Sequence, residues 1–94
     1  MTIDDFLWLP DIVDKLAVKH DVTEQEAEEI FFNQPRYRRV ERGHRPGEDV
    51  YSAWGQTDAG RYLVVFFISK PANTALILSA RDMDDKERKR YERK

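Results

Sequence analysis

The sequence predicts an α+β domain in which helices pack on an antiparallel sheet, and three observations support this. The most apolar run, at residues 63–68, is followed after a short turn by a second apolar run at residues 75–78, as expected of buried strands. The turns that link the last four predicted strands are too short for parallel crossovers, so these strands form a meander. Two helical patterns precede them. We therefore expect a two-layer domain with the helices on one face of the sheet.

The first part of the chain is predicted to be a strand followed by a helical hairpin. Residues 3–9 contain a short apolar run, residues 6–9, that Pro10 ends, which indicates a strand. Residues 11–19 carry apolar side chains three and four positions apart, as in an amphipathic helix. Thr23 and Glu26 have the spacing of a capping box at the start of a second helix. The short link between the two helices predicts the hairpin.

Four strands and a final helix are predicted in the rest of the chain. The strands span residues 36–42, 50–57, 61–69 and 75–78. Charge dominates the first of them, which suits an exposed edge strand because positive charge discourages pairing with another chain. Asp84 and Glu87 have capping-box spacing at the start of the last helix. Val65, Phe67 and Leu76 are predicted to lie in the core.

Length and composition narrow the class of protein. The 94 residues predict a single domain over residues 1–94. The absence of cysteine excludes disulfides and thiol chemistry, and the two histidines lie too far apart in sequence to favour a zinc site. No apolar run approaches the roughly 20 residues of a membrane helix, and the N-terminus has no signal-peptide pattern. We expect a cytoplasmic protein without metal, cofactor or membrane partner.

The charge is unevenly distributed along the chain. The net charge is only −2, but residues 1–35 hold two Lys or Arg against nine Asp or Glu, whereas residues 36–94 hold fourteen against nine. The two segments therefore carry −7 and +5. Such asymmetry can present a basic surface to an anionic partner, although two ordinary solvated faces explain it equally well.

Arg81 follows a hydrophobic strand and is a candidate for a binding surface. Counting by twos along the strand places Ile77, Ser79 and Arg81 on one face. The alternative interpretation is a surface arginine that pairs with Asp82 or Asp84.

The order of elements and several short motifs resemble the BrnT family of bacterial toxins, which is similar in fold to the RelE-type ribonucleases. The motifs are Phe6-x-Trp8-x-Pro10, Lys19-His20-Asp21-Val22-Thr23 with Glu26-Ala27, Gly60-Arg61 with Leu63-Val64-Val65, and Ser79-Ala80-Arg81 with Glu87-Arg88 and Tyr91-Glu92. The resemblance extends from about Phe6 to Glu92. The sequence departs from it at Asp21, where the family usually has glycine, and at residues 82–84, where it is commonly basic, then small, then hydroxylated.

The resemblance implies a ribonuclease toxin of a type II toxin–antitoxin system that cleaves RNA without a metal ion and is inhibited by a ribbon-helix-helix antitoxin. Cleavage by the neighbouring 2′-hydroxyl needs a base and positive charge on the phosphate. His20 is the candidate base, and Arg61 and Arg81 are the candidate phosphate ligands. The candidate RNA-backbone contacts are Arg36, Arg38, Arg39 and Arg42. The candidates for base stacking are Tyr37, Tyr51 and Trp54.

The expected geometry follows from strand pairing. The turn at residues 70–73 should place Arg61, at the start of one strand, opposite Arg81, at the end of the next. We therefore predict that His20, Arg61 and Arg81 line one surface concavity. A non-catalytic binding module of the same fold is the main alternative, because acidic residues stand beside Arg81. A small-molecule enzyme is a more distant alternative, since no phosphate loop or cofactor motif is present.

Overall fold

A computed structural model describes residues 1–93 and shows a five-stranded sheet flanked by helices. The strands are β1 (Asp5–Leu7), β2 (Arg36–Glu41), β3 (Val50–Gln56), β4 (Tyr62–Lys70) and β5 (Thr74–Asp82). The helices are α1 (Pro10–Lys15), which continues into a π-helical turn at Leu16–His20, α2 (Glu24–Glu29), which continues into a 3-10 turn at Ile30–Phe32, and α3 (Asp85–Glu92). Lys94, the last residue of the predicted domain, lies outside the described residues.

The strand order is β1-β5-β4-β3-β2. Strands β2 to β5 form the predicted antiparallel meander, and β2 is the predicted edge strand. β1 pairs with β5 in parallel, with Leu7 beside Leu76. The expectation of a purely antiparallel sheet is therefore wrong at this edge. A parallel neighbour is possible here because a long segment, comprising the helices and the rest of the meander, separates β1 from β5.

The main core lies between the sheet and the segment from α1 to the 3-10 turn. Val65 and Phe67 of β4 are fully buried in it, as predicted. The helical segment contributes Leu16, Ala27 and Phe31. The ring of Phe31 packs edge-on against that of Phe67 at a centroid distance of 5.4 Å. Burial of these side chains fixes the helices on this face, which we call the helical face.

Both predicted capping boxes form. The hydroxyl of Thr23 accepts a hydrogen bond from the Glu26 amide, and the Glu26 carboxylate accepts one from the Thr23 amide, both at 3.1 Å. Asp84 and Glu87 make the same reciprocal bonds at the start of α3. Each pair satisfies two backbone N–H groups that the first turn of a helix leaves without partners.

The opposite face of the sheet carries α3. Trp54, Val64 and Tyr91 form a second buried cluster there. Val64 stands between Leu63 and Val65 in β4, so its side chain points away from the helical face. The two-layer expectation is therefore wrong. β4 is apolar on both sides, and the second side is buried only because α3 packs across it.

A bulge in β5 changes which residues share a face. The register pairs Phe66 with Ser79 and Phe67 with Ile77. Leu78 therefore has no partner on β4, and Ala80 rather than Ser79 returns to the face of Ile77. Ala80 is fully buried in the main core. The prediction that Ile77, Ser79 and Arg81 share a face is wrong, because one extra residue reverses the alternation.

Leu76 lies outside both buried clusters. It pairs with Ile68 of β4 and with Leu7 of β1, on the face that carries α3. Its side chain is only partly buried. The prediction that it belongs to the core is wrong because α3 does not extend over this part of the sheet.

Candidate functional site

Arg61 makes hydrogen bonds to three parts of the chain at once. Its Nε and Nη2 donate to the carboxylate of Asp82, at 2.7 and 3.1 Å. Nη1 donates to Glu26 Oε2 at 3.2 Å and to the backbone carbonyl of Asp21 at 2.6 Å. Nη2 also donates to the carbonyl of His20 at 3.0 Å. We call these residues the Arg61 cluster. It joins the end of the π-helical turn to the start of α2 and the end of β5.

The backbone of Asp21 explains how two carbonyls meet one guanidinium group. Asp21 has φ 52° and ψ 42°, in the left-handed region. This conformation ends the π-helical turn, after which the Asp21 carbonyl accepts from Arg61. Glycine adopts it most readily, and aspartate is among the few other residues that tolerate it.

The electrostatics of the cluster favour its charged form. The hydrogen bond from Arg61 lowers the pKa of Asp82, and the two carboxylates raise the pKa of Arg61. For Glu26 burial opposes ionisation, but the bonds from the Thr23 amide and from Arg61 outweigh it, so that its pKa is lowered. The Arg61 side chain is 25% exposed. Its donors are directed at protein acceptors, which makes this arginine part of the helix–sheet junction.

A second arginine site lies on the face that carries α3. It is a groove of about 320 Å³, which we call the arginine groove. Its lining includes Arg38, Arg39, Arg81, Glu87, Trp54 and Phe66. Arg38 of the edge strand and Arg81 of β5 share this face with one carboxylate and two aromatic rings, whereas Arg39 pairs with Tyr51, whose ring lies at the main core. Such a combination suits an anionic, ring-bearing ligand.

Arg81 and Glu87 form a two-pronged ion pair in this groove. Nη1 lies 2.7 Å from Oε1 and Nη2 lies 2.9 Å from Oε2. The guanidinium carbon also lies 5.5 Å from the centroid of the Phe66 ring. The bond to Arg81 lowers the pKa of Glu87, because the guanidinium group stabilises the charged carboxylate. The side chains of Arg81 and Glu87 are 38% and 17% exposed.

Sequence reasoning missed the second role of Glu87. Its position identified it as the capping residue of α3, and the same carboxylate binds Arg81. The expected partners of Arg81 were the carboxylates of Asp82 and Asp84. Asp82 instead pairs with Arg61, and Asp84 caps α3. A carboxylate six positions after Arg81 was the available signal, but nothing local showed that α3 folds back over β5.

The three predicted catalytic residues do not share a concavity. His20 and Arg61 meet at the helical face, through the backbone carbonyl of His20. Arg81 pairs with Val64 in the register and so lies on the opposite face. The single-concavity prediction is wrong, and the bulge at Leu78 is the reason. The catalytic roles of His20, Arg61 and Arg81 themselves stay predictions.

The four arginines predicted to contact RNA lie in different surroundings. Arg38 and Arg39 line the arginine groove, and Arg39 also lies 3.7 Å from Asp49. Arg36 donates to the carbonyls of Arg90 and Tyr91 near the C-terminal end of α3, at 3.1 and 3.4 Å. Arg42 is exposed just after β2. Their roles in RNA binding stay predictions.

The three aromatic candidates for base stacking have packing roles. The rings of Tyr37 and Tyr51 lie 6.0 and 5.9 Å from that of Phe67 at the main core. Trp54 is buried against Val64, and its indole N–H donates to the Ser52 hydroxyl at 3.1 Å. Trp54 is the one of the three that also lines the arginine groove.

Two structural features are absent from residues 1–93. Within that range, no three His, Cys, Asp or Glu side chains are placed to hold a metal ion together. No helix in the described part of the chain is long and apolar enough to cross a membrane.

A family model described as the ribonuclease toxin BrnT of type II toxin–antitoxin systems matches residues 8–87. The chain belongs to the BrnT family. No curated protein matches the sequence. The matched segment of this BrnT-family protein contains both the Arg61 cluster and the arginine groove, whose last residue is Glu87. Membership identifies the protein as a type II ribonuclease toxin, a class whose target is RNA and whose partner is an antitoxin.

Proposed function

We propose that this BrnT-family protein cleaves RNA at the arginine groove, without a metal ion, and is inhibited by a cognate ribbon-helix-helix antitoxin. The observation that carries the assignment of the site is the groove in which Arg81, paired with Glu87, lies on the same face of the sheet as Arg38. Arg81 keeps the phosphate-binding role predicted for it. We assign Arg61 and His20 to the helix–sheet junction, where the geometry supports a positioning role.

The groove supplies the groups that metal-independent cleavage needs. In this reaction the 2′-oxygen attacks the neighbouring phosphorus, the bond to the 5′-oxygen breaks, and a 2′,3′-cyclic phosphate forms. Arg81 and Arg38 would stabilise the extra negative charge on the phosphate. Glu87 would accept the 2′-hydroxyl proton once Arg81 moves from the carboxylate onto the phosphate. The leaving 5′-oxygen takes its proton from water.

A binding module without catalysis is the second candidate. The Arg81–Glu87 pair favours it, because this carboxylate already occupies both terminal nitrogens of Arg81. RNA phosphate must then displace Glu87 before it can use the same donors. A module that only binds RNA or protein would not need Glu87 free.

RNA cleavage in the presence of EDTA tests the proposal. The substrate is a single-stranded RNA, and the matched control carries 2′-deoxyribose at the cleaved position. We expect fragments with a 2′,3′-cyclic phosphate from the RNA and no cut at the deoxy position. Cleavage that EDTA abolishes, or that ignores the 2′-hydroxyl, would contradict the mechanism. Binding of RNA without cleavage would favour the non-catalytic module.

The resemblance supports three finer proposals. We propose that the fold is RelE-like, that α1 and α2 with their adjoining turns form a helical hairpin, and that the antitoxin is of the ribbon-helix-helix class. Leu16 before the short link and Ala27 after it enter one buried cluster, which supports the hairpin. Expression of this chain alone should slow bacterial growth through RNA loss. Co-expression of the adjacent reading frame should restore growth.

A further inference from the structure

An apolar row crosses the sheet on the face that carries α3, beyond the arginine groove. It consists of Leu7, Leu76, Ile68 and Val50, one from each of the strands β1, β5, β4 and β3. The register pairs each of them with the next, so the row is continuous across four strands. Leu7 is 50% exposed, and the other three are only partly buried. We call these residues the open row.

Two further rows lie beside the open row on this face, and Tyr91 of α3 packs on the farther of them. Two residues along the strands from the open row, Phe66 and Ser52 form part of the groove lining. Two residues further, Val64 and Trp54 are buried beneath Tyr91 of α3. Rows two residues apart in a strand are separated by roughly 6.6 Å. The open row therefore lies about 13 Å from the row under α3, and helices pack 8–10 Å apart, so a second helix fits beside α3.

α3 is an example of a helix that packs on this face, and its contacts indicate which side chains a second helix would need. It buries an aromatic side chain on the sheet and directs the carboxylate of Glu87 at Arg81. The groove beside the open row carries one more arginine on this face, Arg38. A helix that is apolar on one side and carries carboxylates only along the edge nearest the groove would match both surfaces, since the exposed Glu41 of β2 pairs with Val50 at the end of the open row.

We propose that the open row docks an amphipathic, acidic helix of a partner protein, with its apolar side on Leu7, Leu76 and Ile68 and its carboxylates on the groove arginines. This deepens the proposed function by giving the surface and the chemistry of the inhibitor, and its competition with RNA rests on that function. The carboxylates occupy the same guanidinium groups as RNA phosphates, so partner and RNA exclude each other. A second copy of this chain fits poorly, because a twofold contact through this face would bring arginine grooves together.

The test uses a designed peptide of about 15 residues, roughly 22 Å long as a helix. Leucines at helical spacing form one side and glutamates flank them. The matched control peptide has lysine in place of glutamate. We expect the full-length protein to bind the glutamate peptide in fluorescence anisotropy and the lysine peptide at least about tenfold more weakly. The glutamate peptide should also displace a fluorescent RNA oligonucleotide.

Two variants locate the binding surface. Leu76→Asp should weaken peptide binding by about tenfold, the equivalent of one lost apolar contact, and leave RNA affinity unchanged. Leu7→Asp, at a more exposed position, should act in the same direction and guards against misfolding of the first variant. Val18→Asp is the control, since Val18 is 85% exposed in the π-helical turn of the helical face. Arg81→Ala should weaken the binding of both peptide and RNA.

Several results would overturn the proposal. One is the absence of binding by a glutamate peptide whose helicity is confirmed by circular dichroism. Another is an equal loss of RNA and peptide affinity in Leu76→Asp, which would assign the open row to RNA. A dimer that Leu76→Asp dissociates in sedimentation would assign it to a second copy. Peptide binding by a protein that cleaves no RNA would keep the docking surface and reject only the ribonuclease.

Discussion

Two arginines at the ends of neighbouring strands have opposite surroundings in this protein. Arg61 donates to the carboxylates of Glu26 and Asp82 and to two backbone carbonyls. Arg81 is held mainly by one carboxylate, that of Glu87, and lies in an open groove with other arginines. Both residues are arginines at the same edge of the sheet, because Arg61 stands just before β4 and Arg81 near the end of the antiparallel β5. What differs is the set of acceptors.

The difference separates a structural arginine from one that is available to a ligand. Backbone carbonyls are fixed by the fold, so a guanidinium group bound to them cannot leave without disturbing the junction. A carboxylate at the edge of a groove can be exchanged for a phosphate oxygen of similar geometry. The family match does not make this distinction, because both arginines lie within the matched segment.

Disruption of the main core should unfold the domain and so remove both the Arg61 cluster and the arginine groove. Val65 is fully buried on the helical face of β4, the strand that carries Val64 on its other face. Val65→Asp would place an unpaired carboxylate in the core, at a cost of several kcal/mol, on the order of the whole free energy of unfolding. We expect no cooperative melting transition in circular dichroism. Val18→Asp is the control and should melt like the wild type, and a folded Val65→Asp protein would contradict the described core.

Replacement of Arg61 should show mainly a loss of stability. Arg61→Ala leaves two carbonyls and two carboxylates without their donor, which should cost about 2–3 kcal/mol. For a domain of this size, the melting temperature would fall by roughly 10 °C. Arg45→Ala, at an exposed loop position, is the matched control. A melting temperature equal to that of the control would show that the Arg61 cluster does not hold the junction.

Replacement of Arg81 should show mainly a loss of activity. Arg81→Ala should lower the rate of RNA cleavage by about 100-fold, the usual effect of removing one donor to the transition state. Stability should change by about 1 kcal/mol or less, because the pair is partly exposed and Glu87 keeps its capping bond. Calorimetry measures the change in stability, and the cleavage assay measures the change in rate. A large melting shift would mean that Arg81 is structural as well.

Replacement of His20 tests on which face of the sheet RNA is cleaved. Its backbone carbonyl, which Arg61 binds, is retained in His20→Ala. We therefore expect this variant to cleave RNA within about threefold of the wild-type rate, far from the 100-fold loss of a catalytic base. If cleavage is instead lost while the melting temperature stays, the catalytic site lies at the Arg61 cluster, as the sequence resemblance implies.

Acid should weaken the Arg61 cluster, and this is the smallest expected effect. The pKa of Asp82 is lowered by the bond from Arg61, and that of Glu26 is also lowered. Groups with a lowered folded pKa stabilise the protein above their unfolded values, here 3.8 and 4.5, and lose this contribution as the pH falls through the folded values. Melting temperatures measured from pH ~7 to pH ~3 should fall less steeply in Arg61→Ala than in the wild type. Parallel curves would contradict the coupling.

The sequence by itself determined the features that depend on a few neighbouring residues. The capping boxes that begin with Thr23 and Asp84 each involve residues only three positions apart, and both formed as predicted. The strands at residues 63–68 and 75–78, with Val65 and Phe67 in the core, followed from continuous apolarity, although Leu76 is only partly buried. The charged edge strand β2 also followed from composition. In each case the cause lies within one turn or one strand.

Tertiary structure decided the features that depend on a distant partner. The alternation along β5 is set by its pairing with β4, and the unpaired Leu78 moves Arg81 to the opposite face. β1 joins β5 in parallel, and α3 packs across the second face, because both surfaces become available only once the sheet exists. The separation of Arg61 from Arg81 therefore has a physical reason. A strand pattern gives the period of the side chains, but only the hydrogen-bond register gives their phase.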